Sequence, residues 1–398
     1  SGRIDNRARF RSVCLIGYAS SSKPVSGTTN LLYMKILIIE PYFTGSHKQW
    51  AESYKRNSSH NIKILSLKGQ FWKWRMHGGA ITLAKMFNAM DWLPDLIFAT
   101  DMLDLNTFLS LTRNKSNGIP AAIYFHENQL SYPWSPSDRD IRNKRDSHYG
   151  FINYSSALAA DKVFFNSEFH MKSFFNALIP FLKKFPDYQE LDTVDVIKKK
   201  SEVLYLGMDL RRFRNHTFER DSKPNILWNH RWEYDKNPQS FFSVLKKVKN
   251  EGNDFGLVIL GENFSKSPKV FEESKKEFVN QIVHWGYVDS FEEYAKLLWK
   301  SHIIPVTSNQ EFFGGSVMEA IYCGVWPILP NRLTYPELLP GEMHSENIYN
   351  TEEELINKIC WAMTNHQKLN QCKLATISEK FDWQVIAPEY DKKLEAIL

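Results

Sequence analysis

Cysteine is scarce in this sequence. Four residues in 398, namely Cys14, Cys323, Cys360 and Cys372, are scattered and never form a Cys-x-x-Cys pair. That excludes a disulfide frame and the usual zinc spacings, so a reducing, cytosolic compartment is expected. No apolar run approaches the roughly eighteen residues of a membrane helix, and none reads as a secretory core. No Gly-x-Gly-x-x-Gly follows an apolar strand-like run, and there is no Walker A loop, which argues against nicotinamide, flavin and P-loop chemistry. The sole Asp-x-Asp, Asp138-Arg139-Asp140, sits in a polar loop and reads as solvated rather than metal-binding. Repeats and low-complexity tracts are also missing.

What is present fits an ordinary globular chain of two domains, with 43 % apolar, 14 % aromatic and 24 % charged residues. The net charge of +5 invites a nucleic-acid reading, but four of the five charges fall in residues 1–33, which hold five cations against Asp5. Contacts to nucleic acid must therefore come from local patches such as Lys198 to Lys200 or Arg211 to Arg214. Residues 1–33 are Ser- and Arg-rich and precede Met34 and the strand-like "KILIIE". They are expected to be a leader or added extension and are set apart from the fold.

From Met34 onward, short apolar runs alternate with helical patterns, the signature of α/β architecture with parallel sheets and crossover helices. Strands are expected at 35–40, 61–67, 95–100, 121–126, 161–167 and 201–207 in a first half. A second half should hold strands at 225–230, 255–261, 281–286, 302–308 and 325–329. Helices are expected at 237–250, 269–279, 290–299 and 316–323. The polar, charged stretch 207–225 has a linker composition, which divides the chain into domains 34–220 and 221–398. Two doubly wound sheets bind ligands at the carboxyl ends of their strands, so functional residues are expected just after strands.

The stretch "EFFGGSVME" from Glu311 to Glu319 permits two readings. Ser316 and Glu319 fit a capping box and Gly324 a helix end, with no function required. That leaves Glu311, Phe312, Phe313, Gly314 and Gly315 unexplained. Paired glycines before a helix let backbone amides approach an anion, while a carboxylate beside them suits sugar hydroxyls. In "NHRWEYDKNP", Arg231 and Lys236 either pair with Glu233 and Asp235 at the surface or face the cleft and stabilise a departing diphosphate. His126, Glu127, Asn128 and Gln129 end a strand, which suits a site better than a core. Gly45 and Ser46 follow the first strand. They offer either an N-cap by Ser46 or contact with diphosphate or acceptor. "KGQFWKWRMHGG" interleaves Lys68, Phe71, Trp72, Lys73, Trp74 and Arg75, which is either a helix start with buried tryptophans or an RNA contact. Arg139, Arg142, Lys144 and Arg145 form a second basic candidate. With Arg231 and Lys236 available, no metal is expected.

The Glu-x7-Glu spacing resembles the signature of retaining glycosyltransferases of the GT-B fold, though Phe312 stands where many members have glycine. A narrower resemblance emerges from "ILIIEPYFTGSHKQW", "YFHENQLSYP", "HRWEYDKNPQSFF", "VILGENF", "HWGYV" and "EFFGGSVMEAIYCGVWPILPNRLTYPELLP", which occur in that order. Together they look like the tRNA-queuosine α-mannosyltransferase family from Met34 to about Pro340. The resemblance implies two Rossmann-like domains facing across a cleft, GDP-mannose as donor, and retention of configuration. It implies as acceptor the cyclopentenediol of queuosine at the wobble position of tRNA(Asp). It further implies that Arg231 and Lys236 carry the diphosphate and that Glu319 holds the ribose. Glu311, with the backbone around Phe313 to Gly315, would hold the mannose, Ser316 would belong to the donor site, and His126 would meet the transferred sugar. The alternatives are a lipid or saccharide acceptor on the same fold, or an RNA-binding scaffold without catalysis.

Overall fold

A computed structural model describes residues 33–134, 140, 147–262 and 268–398. The expected leader, all but Tyr33, lies outside the described residues, as do Arg139, Arg142, Lys144 and Arg145.

Every strand expected from the sequence forms. The first half contains β1 (Lys35–Phe43), β2 (Asn61–Lys68), β3 (Leu96–Thr100), β4 (Ala121–Phe125), β5 (Lys162–Phe165) and β6 (Ser201–Val203), in the order β2-β1-β3-β4-β5-β6. The second contains β7 (Asn225–Asn229), β8 (Gly256–Leu260), β9 (Ile282–Trp285), β10 (Ile303–Pro305), β11 (Trp326–Pro330) and β12 (Ile348–Tyr349), in the order β12-β11-β10-β7-β8-β9. The pairings are parallel. Central strands such as "AAIYF" and "GLVIL" are buried at every residue. Helices cover both faces of a parallel sheet, so its strands read as unbroken apolar runs. Chain order reverses between β1 and β3 in one sheet and between β7 and β10 in the other. Those reversal points are where open α/β sheets bind ligands.

Two features depart from the expected organisation. The stretch 207–225 is more than a linker. Its 3-10 turn Arg211–His216 buries Phe213 in the core of the second half. In addition, the last helix, Trp383–Glu395, returns to the first half. Trp383, Ile386, Tyr390 and Leu394 pack with Ile36, Ile38, Trp50, Tyr54, Phe98 and Tyr124 on one face of the first sheet. Tyr54 Oη donates to Asp391 at 2.8 Å, and Trp50 Nε1 donates to Tyr390 Oη at 3.2 Å. Assigning everything after residue 221 to the second half therefore fails for this helix. The helix at 45–57 covers that sheet face together with it, so this core is closed by two segments more than 300 residues apart in sequence. The chain crosses between halves twice, side by side: Met208 N donates to Phe381 O and Trp383 N to Met208 O, each at 2.8 Å. Among the described residues no helix is long and apolar enough to cross a membrane.

Candidate active site at the carboxyl ends of the two sheets

The reversal point of the second sheet is flanked by the residues that follow β7 and β10, and these are His230 to Lys236 and Thr307 to Glu311. A 3-10 turn, Tyr234–Lys236, brings Lys236 back under the sheet end. The next helix then starts at Pro238, with Asn237 accepting from Ser240 N as its cap. Lys236 Nζ lies 3.3 Å from Glu311 Oε2, 3.2 Å from Asp235 Oδ2 and 2.8 Å from Gln310 O. Burial works against its charge, but Glu311 and Asp235 outweigh burial and raise its pKa. Glu311 is the mirror case. Burial opposes ionisation, Lys236 overrides it, and the carboxyl is held below its usual range. The backbone N–H groups of Phe312 and Phe313 donate to Glu311 Oε1 at 3.2 and 3.4 Å. Both oxygens are thus held as an anion in a fixed orientation.

Arg231 Nη2 lies 3.3 Å from Glu233. The pairing with Glu233 and Asp235 expected for a surface reading does form, but Lys236 is buried rather than superficial. Its added bond to Glu311 is what joins the two motifs. Burial lowers the basicity of Arg231, and Glu233, Tyr132, Asp235 and Glu127 more than compensate. Tyr132 and Glu127 belong to the first half, so Arg231 faces both sides. His230 is neutral, its pKa pushed down to about 3 by burial and then by Lys236.

Glu319 sits on the helix Gly315–Tyr322. The capping box does not form. The N-cap is Gly314 at φ 90°, with no side-chain cap, and Ser316 lies inside the first turn. Ser316 O instead accepts from Asn229 Nδ2 at 2.9 Å. Glu319 accepts from Arg212 Nη2 at 3.1 Å and from Tyr294 Oη at 2.7 Å, which leaves carboxylate lone pairs for other donors. The Phe313 side chain is core, set edge-on against Phe381 at 5.0 Å, so only its backbone belongs to the site.

At the first sheet, the residues after β1, β3 and β4 converge. Glu40, fully buried, accepts from Tyr42 N at 2.7 Å and holds His47 Nδ1 at 2.9 Å. Burial disfavours a charged His47, but Glu40, with Asp101 and Glu127 near, prevails and raises its pKa to about 9. The His126 ring lies 4.3 Å from that of His47 and edge-on to Trp50 at 4.8 Å. Burial, then the charge of His47, keeps His126 neutral with a pKa well below the usual range. Its Nε2 has no hydrogen-bond partner among the described residues. Glu40, His47 and His126 bring ligand atoms within 4.8 Å of one another. An imidazolium bonded to a carboxylate is a poor metal ligand, so this donor set reads as an ion pair beside a neutral histidine.

The remaining expected residues divide. Asn128 Oδ1 accepts from Leu130 N at 3.1 Å and Ser131 N at 2.9 Å, forming its own turn. Gln129 Nε2 donates to Glu127 at 2.9 Å. The helix Gly45–Asn57 begins at Gly45, and Ser46 does not cap it; Thr44 holds the cap position without a side-chain bond. Trp72 and Lys73 turn inward. Trp72 packs against Tyr149 at 5.1 Å, and Lys73 bonds Asp140 at 2.5 Å. Trp74 is exposed and Arg75 half-buried. The sequence reading missed Glu40, His47, Asp101, Arg212 and Tyr294. The position of Glu40 and His47 on either side of the first strand's end was the one available signal.

The two halves meet across the cleft. Ser167 Oγ donates to Phe312 O at 2.5 Å, Phe169 N to Glu337 at 3.2 Å, and Tyr234 Oη to Pro133 O at 2.7 Å. Tyr132 Oη reaches Asp235 at 3.4 Å, and the Phe312 ring stacks on His170 at 4.0 Å. Arg231, Lys236 and Glu311 therefore cluster where the halves meet, with Glu127 and Tyr132 of the first half near Arg231.

Comparison with known proteins agrees with this architecture. Residues 35–208 match the family model described as tRNA-queuosine alpha-mannosyltransferase N-terminal, and residues 210–378 match that of glycosyl transferases group 1. The chain is similar to a tRNA-queuosine alpha-mannosyltransferase of Drosophila melanogaster, 36 % identical over 334 residues, covering 81 % of this chain and 85 % of that protein. Among solved structures it is similar to a glycosyltransferase from Rickettsia africae, with a TM-score of 0.64, 16 % identity, and coverage of 92 % of this chain and 99 % of that one. It is also similar to the Anabaena protein HepE in complex with UDP and glucose, with a TM-score of 0.60, 15 % identity, and coverage of 92 % and 100 %. These two share the fold, which is GT-B.

Proposed function

Because the chain belongs to the tRNA-queuosine alpha-mannosyltransferase family, we propose that it moves mannose from GDP-mannose, with retention, onto the cyclopentenediol of queuosine at the wobble position of tRNA(Asp). The observation that carries this reading is the bond between Lys236 and Glu311, which ties the expected diphosphate cation to the expected sugar carboxylate in one crevice.

In this reading the bond between mannose C1 and the phosphate oxygen breaks as charge builds on the departing diphosphate. Arg231 and Lys236 stabilise that charge, and fixed cations are effective there because they need no reorganisation. No metal is required for that step. The amides at the starts of the helices at Gly45 and Gly315 add further anion-binding donors. Glu319 takes the ribose hydroxyls on its remaining lone pairs. Glu311 accepts from mannose hydroxyls, and the unpartnered Nε2 of neutral His126 meets another. An acceptor hydroxyl of the cyclopentenediol then bonds to C1 from the face that the phosphate leaves. Its proton passes to the departing phosphate oxygen, so no enzymic nucleophile is invoked. Glu127, bridged to Gln129, is the polar group on the acceptor side. The work would take place in the cytoplasm.

Incubation with GDP-mannose and queuosine-containing tRNA(Asp), followed by nucleoside mass spectrometry, is expected to convert queuosine to a species heavier by one hexose. A preparation that is stabilised by GDP-mannose yet leaves the queuosine peak unchanged would refute the acceptor. Stabilisation by UDP-glucose and not GDP-mannose would refute the donor.

A further inference from the structure

The interleave of aromatic and basic residues after β2 resolves into two sets. Trp72 and Lys73 face inward: Trp72 lies 6.3 Å from Trp134, and Lys73 Nζ sits 5.2 Å over the Trp134 ring. Trp72, Trp134 and Tyr42 all pack against the buried cluster of Met76, Met102, Tyr149 and Ile152. These contacts fix the start of the helix Trp72–Asn88 to the segment 132–134, whose Tyr132 reaches Asp235 in the crevice. Phe71 and Trp74 face outward, 76 % and 63 % exposed.

Both outward rings are held in place at a cost to the backbone. Phe71 caps the helix in the left-handed region, at φ 55°, where a bulky residue is disfavoured. Trp74 lies flat against Gly78. A Cβ built at Gly78 would fall 2.6 Å from Trp74 Cζ2, so the glycine is what leaves room for the indole. A glycine inside a helix is otherwise unfavourable relative to alanine. Scattered exposed aromatics need no explanation, but a strained backbone and a seating glycine under two neighbouring ones do. Residues 68–90 carry Lys68, Lys73, Arg75 and Lys85 and no Asp or Glu; Lys73 is paired with Asp140, so the charge beside the two rings comes from Lys68 and Arg75. The helix's first turn has neither an acid nor a side-chain cap, so its dipole adds positive potential.

We propose that Phe71 and Trp74 form a stacking platform for unpaired bases of the RNA substrate at the edge of the catalytic crevice, with Lys68 and Arg75 beside it for phosphates. The inference deepens the function proposed above and rests on it. Aromatic faces take any base, and flanking cations take the backbone, which is the chemistry of an opened loop rather than of a duplex.

The test measures fluorescence anisotropy of a labelled anticodon stem-loop RNA with the full chain and four variants. Trp74→Ala, and Phe71→Asn, which suits a left-handed backbone, are each expected to weaken binding by about 5- to 150-fold. Trp74→Phe should retain most of the affinity. Gly78→Ala should weaken binding by displacing the indole while the melting temperature holds or rises, a result that a merely structural glycine would not give. Stabilisation by GDP-mannose should be the same in all. Wild-type affinity preserved in Trp74→Ala and Phe71→Asn overturns the platform alone. Wild-type protein that neither binds the RNA nor transfers mannose overturns both readings. Binding to phosphatidylserine vesicles that Trp74→Ala abolishes, with RNA affinity unchanged, would assign the face to a membrane and overturn the platform.

Discussion

Lys236 and Glu311 keep each other ionised in a place where burial disfavours both charges, and each is therefore exposed to the loss of the other. Glu311→Gln keeps the shape and removes the charge. It is expected to lower kcat by about 100-fold or more while stabilisation by GDP persists, as measured by single-turnover transfer beside a thermal shift. Lys236→Met leaves Glu311 and Asp235 without their cation. It should cost stability as well as rate, on the order of 3 kcal/mol by denaturant titration. His47 adds a pH dependence. Its pKa is raised in the folded protein to about 9, above the unfolded value near 6.5. The stabilisation from its bond to Glu40 is thus complete below about pH 6.5 and is lost as pH rises through about 9. Melting temperatures of wild type and His47→Gln should accordingly differ most just below about pH 6.5, less at neutrality, and converge towards pH 9 and above. Arg231, Lys236 and Glu311 could be singled out in the sequence because each sits in a short motif after an apolar run. Arg212 and Tyr294 could not: they lie 107 and 25 residues from the Glu319 they hold, and the chain reversal that joins them leaves no local trace.

At the level of elements, the strands were the most legible part, since burial on both faces makes each a continuous apolar run. The helix Glu168–Leu182 was not anticipated. It is apolar on most sides and contains Pro180, so neither a clean stripe nor unbroken propensity marks it. Of the capping-box alternative only the helix end at Gly324 forms, because the backbone has already turned at Gly314 before Ser316 is reached. That left-handed cap is testable. Gly314→Ala forces a side chain into φ 90° with its Cβ 3.3 Å from Leu338 Cδ1. A loss of about 1–2 kcal/mol is expected, together with weaker donor affinity by calorimetry, because the amides of Gly315 and Ser316 shift with it. Gly324→Ala, at the other end of the same helix, should cost stability with less effect on donor affinity.

Across the whole molecule, the resemblance to other glycosyltransferases anticipated two facing sheets, but not how the halves are joined. Phe312, where glycine is common, stacks on His170 of the opposite half, and its carbonyl accepts from Ser167. Phe312→Gly should loosen that contact. The expected result is easier proteolysis near the crevice in the free protein, with protection restored by GDP-mannose. Composition marked 207–225 as a connection because its residues are polar, and so hid that a second connection runs alongside it. The return of the last helix to the first sheet has a consequence for biosynthesis. While the chain leaves the ribosome, the aromatic wall formed by Trp50, Tyr54 and Phe98 stays bare until Trp383–Glu395 emerges. The first half therefore cannot close its core before Trp383–Glu395 is made, and a stop placed before Trp383 is expected to give an insoluble fragment, as judged by sedimentation of the expressed protein.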